Sequence, residues 1–217
     1  PLKYCHIAPL CKVDEETGNV RKVSKRKDPE FAMSYYHKEG IPSEAVRLYL
    51  ANITSSAFES WFLANPTLDI KDFKFEFKKM NKSGALFDVN KLMNISKTYI
   101  SHLKADDLYE RVSKYLKEYD NDFYNVFTKD STYSTNILNI EREVKKPRKD
   151  IGKYSDVFNE INYMYDEYFK PNYENKNLDA NMYLEYIENV FNENDDKNTW
   201  FNNLALFASK YNYASMK

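Results

Sequence analysis

Four glycines in 217 residues leave very few positions where the backbone can take a positive φ or turn tightly without strain. Seven prolines complete the supply of strong turn residues. A β-sandwich or barrel needs a turn signal about every 8–12 residues, so this chain is expected to be mainly helical. Its 19 Tyr and 14 Phe make ring packing the expected filling of the core. Charged residues are 30% of the chain, yet the formal net charge is only -1. No chain-wide basic field announces a nucleic-acid partner, and such a partner has to be held by local patches.

Apolar spacing along the chain gives the helices. "FAMSYYHKEG" places Phe31, Ala32, Tyr35 and Tyr36 at helical spacing and stops at Gly40. "IPSEAVRLYLANI" restarts with Pro42 and Ser43, where a missing N–H costs little and a hydroxyl can cap, and its stripe is Ala45, Val46, Tyr49, Leu50 and Ile53. "LDIKDFKFEFKKM" is ambiguous: Phe73, Phe75 and Phe77 alternate as in a strand, while Asp69 with Asp72 resembles a helix cap. "FDVNKLMNISKTYISHL" returns to helical spacing, as does "ADDLYERVSKYLKEY" through Leu108, Val112, Tyr115, Leu116 and Tyr119. "TYSTNILNIEREVKK" adds a helix expected to run to Pro147. "SDVFNEINYMYDEYF" adds one capped by Ser155 and stopped by Pro171, with Val157, Ile161, Met164 and Tyr168 on one face. "DANMYLEYIENVF" and "NTWFNNLALFASKY" bring the expectation to eight or nine helices behind a short strand or extended piece in residues 1–30.

Cys5 and Cys11 form no C-x-x-C pair and have no second half-site, so a metal centre with His6 is not expected. Free thiols, no cationic segment leading into an apolar run and no stretch of about 20 apolar residues describe a cytoplasmic protein without a membrane span. The chain opens at Pro1 inside what reads as an ordered apolar segment, "YCHIAPL", as expected of a piece of a longer protein.

Charge is unevenly spread. From Ser155 to Asp196 eleven acidic residues face only Lys170 and Lys176, whereas Arg142 to Lys153 holds six basic residues against Glu143 and Asp150. A phosphate backbone would lie more favourably along "VKKPRKDIGK" than on the helices after it. The other basic concentration is "GNVRKVSKRKDPE", a non-periodic segment with Arg21, Lys22, Lys25, Arg26 and Lys27 around Ser24. Lysine ammoniums are compact charges that can follow a polyphosphate as charge moves between its oxygens, and N–H groups with the Ser24 hydroxyl can add neutral donors.

Lys22-Val23-Ser24-Lys25-Arg26 resembles the KMSKS loop of class I aminoacyl-tRNA synthetases, in the K-[LM]-S-K-R form of the glutamyl-tRNA synthetases. Upstream, "HIAPL" and the hairpin-like "CKVDEETGN" resemble the family's lead into that loop. Downstream, Gly40-Ile41-Pro42, the "EA" pair, Tyr49-Leu50 and the segment with Phe87, Asp88, Lys91 and Leu92 follow in the family's order. "RKDIGKYSDV" is similar to a segment of a bacterial, Clostridium-like branch, and the likeness continues to "YNYASMK". Val23 for Leu or Met and Arg26 for Ser are the departures within the loop.

The resemblance implies a C-terminal fragment of a glutamate–tRNA ligase. Residues 1–30 would end the catalytic region, 31–120 would form a stem-contact helical region, and 121–217 an incomplete α-helical anticodon-binding region. It further implies ATP as substrate, Mg2+, and tRNA(Glu) as partner, and leaves open whether tRNA(Gln) is also charged. A glutaminyl enzyme fits less well, because its β-barrel anticodon region needs more turns. By position Lys25 matches the catalytic second lysine, and Lys22, Val23, Ser24 and Arg26 complete the ATP-phosphate loop; no metal ligand is assigned. Arg142, Lys145, Lys146, Arg148, Lys149 and Lys153 are candidates for tRNA phosphates. The Rossmann half with its HIGH motif has no counterpart here, since His37 and His102 lie in helical segments without that motif's neighbours, so the isolated chain is not expected to aminoacylate tRNA. The alternative is an α-helical protein-interaction module with an incidental basic loop, which would show no tRNA preference and no steep salt dependence.

Overall fold

The computed structural model describes residues 7–14, 16–24, 26–82, 85–172 and 179–211. They fall into two compact units divided between Phe169 and Lys170. The first unit begins with an antiparallel hairpin of β1 (Cys11–Val13) and β2 (Val20–Lys22), in which Cys11 pairs with Lys22 and Val13 with Val20. The connecting turn is closed by Asp14, whose carboxylate accepts from the Glu16 and Thr17 N–H groups, and by Gly18 at φ 68. Cys11 also exchanges backbone bonds with the 85–87 segment, through Cys11 N–H to Ala85 O at 2.9 Å and Phe87 N–H to Cys11 O at 2.8 Å.

Helices follow the apolar spacing closely. The first, α1 (Met33–Glu39), stops at Gly40, whose φ of 74 no other residue adopts cheaply. Pro42 stands at the N-cap of α2 (Ser43–Thr54), and the expected Ser43 cap is absent, the hydroxyl instead donating to Glu44. The buried face of α2 carries Ala45, Val46, Leu48 and Tyr49, while Leu50 is exposed. With Asn52 also buried, Leu48 falls on the i, i+3/i+4 row and Leu50 turns away from it. Next, α3 (Phe58–Ala64) brings in Phe58 and Phe62, and α4 (Val89–Ser101) starts where the Asp88 carboxylate accepts the Lys91 N–H. These elements enclose one cluster of Tyr36, Ile41, Val46, Leu48, Tyr49, Phe58, Phe62, Leu92 and Ile95.

The alternating phenylalanines of 69–80 make no strand. Two single 3-10 turns form instead, Ile70–Asp72 and Phe77–Lys79, the first capped by Asp69. Phe73 stands edge-on to Phe58 at 5.0 Å, whereas Phe75 and Phe77 are exposed and touch each other.

A second cluster is built by α5 (Ala105–Tyr119), α6 (Asn121–Phe127), α7 (Ser131–Asn139) and α8 (Asp156–Ile161). Leu108, Val112 and Leu116 of α5 are buried against Phe123, Phe127, Val157 and Ile161, and each such aliphatic chain contributes about 1.5–3 kcal/mol. Tyr115 and Tyr119, expected on the same face, are half-buried and exposed. Three boundaries differ from expectation, the first being the end of α8, which stops at Ile161 and passes into a single 3-10 turn, Asn162–Met164, well short of Pro171, although Met164 and Tyr168 still pack against the cluster. Helix α7 ends at Asn139, well short of Pro147, because Glu141 takes a positive φ of 51 and Arg142 turns inward. Ser155 does not cap α8; its hydroxyl donates to Glu39 O, and Asp156 accepts the Gly152 and Lys153 N–H groups instead.

The second unit pairs α9 (Ala180–Asn189) with α10 (Lys197–Lys210), capped by Asp179 and Asp196. Trp200 donates to the Tyr186 hydroxyl, and the Phe207 ring lies between those of Tyr186 and Tyr211. Ten α-helices are present among the described residues, and none is long and apolar enough to cross a membrane.

Gly40 is a crowded joint in the first unit. A Cβ there would lie 2.9 Å from Tyr115 Cε2 and 3.1 Å from the Ser155 backbone nitrogen. Gly40→Ala combines that crowding with a left-handed backbone and is expected to cost on the order of 2–4 kcal/mol, read as a lower urea midpoint by circular dichroism.

Candidate functional site

The basic loop is carried by the hairpin, and its order begins with one buried carboxylate. Asp28 is 1% exposed. It accepts two parallel bonds from the Arg21 guanidinium, at 2.8 and 2.7 Å, and a third from the Ser24 N–H at 2.8 Å. Arg21 Nε donates to Asp14 at 2.8 Å, so one guanidinium ties the hairpin turn to the far end of the loop. Lys12 lies 3.9 Å from Asp28 and pairs with Glu30 at 2.6 Å. The Ser24 carbonyl accepts from both Lys27 N–H and Asp28 N–H, closing the loop as a turn.

These contacts sort the cations. Arg21 and Lys12 are neutralised by internal acids, while Lys22, Arg26 and Lys27 are exposed and have no acidic partner among the described residues. Strand alternation explains the first division, since Arg21 faces Asp14 and Asp28 and Lys22 points the other way. Val23 and Ser24 are half-buried, Val23 donating its N–H to Leu10 O. Lys25, like Cys5 and His6, lies outside the described residues. The hairpin rests on the helical body through an aromatic column: Phe31 and Phe87 are 4.5 Å apart, Tyr49 stands edge-on to Phe87, and the Tyr49 hydroxyl accepts the Asp88 N–H.

The second basic set is dispersed by the fold. Arg142 is buried, its guanidinium donating to the carbonyls of Leu138, Ile100 and Leu103. It joins the end of α7 to the end of α4, where helix carbonyls favour a cation, and burial pushes its pKa below the usual arginine value. Arg148 pairs with Asp150 at 2.6 Å and Lys153 with Glu39, and Lys149 donates to the Thr98 hydroxyl. Lys145 and Lys146 are exposed and unpaired among the described residues. The two remaining histidines are both engaged, His37 across to the Tyr119 hydroxyl on α5 and His102, at the end of α4, with Thr98 O.

Sequence reasoning missed Asp14 and Asp28 as the organisers of the loop. The available signal was a pair of aspartates seven residues either side of Arg21 in an otherwise cationic segment. Acids that can accept from Arg at both ends of a loop are candidates for its internal counter-ions.

The hairpin loop thus presents Lys22, Arg26 and Lys27 to solvent beside a helical body. No family model matches the chain. Its curated homologues are glutamate–tRNA ligases. That of Clostridium perfringens is 42% identical over 221 residues, covering 98% of this chain and 40% of the relative. Those of Acetivibrio thermocellus and Sorangium cellulosum are 38% and 32% identical, covering 98% and 99% of this chain. The chain spans about 40% of the length of the curated relatives it matches.

Hydrogen bonds from Arg21, then from the Ser24 N–H, hold the Asp28 carboxyl far below the ordinary aspartate range. A folded-state pKa lowered in this way stabilises the loop at every pH above the unfolded value of about 3.9, and the contribution is lost only as the pH falls further. The Asp28 side-chain carboxyl carbon should therefore show no NMR titration between pH 7 and about pH 4.

Proposed function

We propose that this chain is the part of a glutamate–tRNA ligase that runs from the ATP-phosphate loop into the tRNA-binding body. Residues 1–30 end the catalytic region, 31–120 serve as the stem-contact region and 121–217 as the anticodon-binding region. The observation that carries the reading is similarity to these ligases along 98% of the chain, beside which Lys22 and Arg26 of the motif are exposed.

In the reaction, a glutamate carboxylate oxygen bonds to the α-phosphorus of ATP and the bond to the bridging oxygen breaks, releasing pyrophosphate. A terminal ribose hydroxyl of tRNA(Glu) then takes the glutamyl group from the adenylate and AMP leaves; tRNA(Gln) is a second candidate acceptor. Lys25 stabilises the charge that collects on the departing pyrophosphate, Lys22 and Arg26 support it, and Val23 and Ser24 set the backbone between them. Mg2+ accompanies ATP in the family, and none of this chain's residues is assigned to it. Among the described residues no group of three or more His, Cys, Asp or Glu could hold a metal, and the two aspartates beside the loop are engaged by Arg21. The glutamate pocket and HIGH motif belong to a Rossmann half upstream in the same cytoplasmic polypeptide.

Phosphates of the tRNA are assigned to Lys145, Lys146 and Lys149, with Arg148 and Lys153 as partly neutralised neighbours. Arg142 acts from inside, by holding the backbone from which this segment leaves α7.

The reading is tested on the reading frame extended upstream, by glutamate-dependent ATP–pyrophosphate exchange with tRNA present. Lys25→Ala should lower exchange by about 100-fold or more, the order expected for loss of one transition-state charge contact. Exchange indifferent to Lys25, or glutamate activation by the isolated 217 residues, overturns it. For tRNA, a gel shift over rising salt should lose about one unit of log–log slope per phosphate-contacting lysine removed in Lys145→Ala/Lys146→Ala. An unchanged slope would favour the protein-interaction module.

A further inference from the structure

We propose that Asp28 is a positioning residue: clasped by Arg21 and the Ser24 N–H, its carboxylate fixes the backbone that presents Lys22, Arg26 and Lys27 to a polyphosphate. The inference rests on the reading of this loop as a phosphate clamp.

A carboxylate that is 1% exposed in a cationic loop has to be held by strong partners. Asp28 has a bidentate arginine and a backbone donor, which between them occupy both of its oxygens. The Ser24 peptide is gripped at both ends, its N–H by the Asp28 side chain and its carbonyl by the Lys27 and Asp28 N–H groups. A change at one side chain therefore reaches the whole turn.

The same clasp settles which charges are available. The acids Asp14, Asp28 and Glu30 are satisfied by Arg21 and Lys12, and none of them pairs with Lys22, Arg26 or Lys27. Among the described residues an incoming polyphosphate breaks no ion pair to reach those three cations, and it meets Ser24 and Asp28 already tied to each other, which lowers the cost of binding. Bonds within the hairpin and the 85–87 segment hold the arrangement, so it is a property of this chain's own residues.

Asp28→Asn keeps the volume and sets an NH2 group against a guanidinium donor, and Asp28→Glu restores the charge on a longer arm. In the 217-residue chain, Ser24 amide exchange by NMR should quicken by about tenfold or more in Asp28→Asn, the scale of one charge-assisted hydrogen bond. Asp28→Glu should fall between that variant and the wild type, with the thermal midpoint of the helices moved little. Unchanged Ser24 protection in Asp28→Asn overturns the inference.

In the polypeptide extended upstream, Asp28→Asn should lower kcat of pyrophosphate exchange about tenfold with the KM for glutamate unchanged, and Asp28→Glu should recover part of it. A loosened loop with unaltered kcat also overturns the positioning role, and Lys22→Ala then separates the two readings. If Lys22→Ala impairs exchange, the phosphate clamp stands and only Asp28 is misassigned; if it does not, the clamp itself is wrong.

Discussion

The end of α1 is the joint on which the first unit depends. Its last carbonyls, left without partners inside the helix, are received by residues far along the chain: Lys38 O by the Tyr115 hydroxyl, Glu39 O by the Ser155 hydroxyl and Gly40 O by the Tyr154 N–H. Glu39 also pairs with Lys153. The 151–155 segment is in turn drawn onto α4 by the Ser96 hydroxyl, which donates to Gly152 O. Contacts from α1, α5 and the start of α8 thus meet around one left-handed glycine, Gly40, and the two aromatic clusters are held in a single unit that shares Tyr99.

That arrangement decides what the basic residues can do. The 140–155 segment leaves α7 after Asn139, and Arg142 turns inward to donate to carbonyls at the ends of both α4 and α7. Its remaining lysines ride on irregular backbone outside the core. At the hairpin the same physics operates in reverse, with buried Asp28 and partly buried Asp14 and Glu30 engaging Arg21 and Lys12 while the neighbouring cations remain exposed. In both places one buried charge, fully hydrogen-bonded, determines which of the surrounding charges face solvent.

The helices were legible because their signal is periodic burial, and Leu108, Val112, Leu116, Val157 and Ile161 sit where spacing puts them. The Asp69 cap was legible, and the same signal, an aspartate before an apolar stripe, stands at Asp88, Asp179 and Asp196, which also cap. Ser43 and Ser155 misled, since a serine's hydroxyl can as readily bond a neighbouring carboxylate or a distant carbonyl, and only tertiary structure decides. The alternation of Phe73, Phe75 and Phe77 misled in the opposite sense: a strand pattern needs a partner strand, and here only Phe73 found a core to enter. The fate of Arg142 was invisible for a related reason. Its partners are backbone carbonyls of α4, and backbone groups carry no residue signature. The loop motif was readable as a word, but its mechanics lay in Asp14 and Asp28, whose pairing with Arg21 depends on the hairpin register.

A phosphate-binding loop faces opposed demands, since its cations repel one another and yet have to be held close together. Like charges this dense would spread the loop if nothing of opposite sign stood behind them. Surface acids would offset the repulsion only by competing with the ligand for the same cations. Placing the compensating charge inside, on Asp28 and Asp14, and coupling it to the exposed lysines through the backbone avoids that competition. The arginine is the suitable intermediary because its planar fork binds two carboxylates at once, at 2.7–2.8 Å here, whereas a lysine in its place could not span both ends of the hairpin loop with the same geometry. Arg21 and Lys22, adjacent in sequence and equal in charge, thereby hold opposite offices: one is committed to the fold, and the other faces solvent.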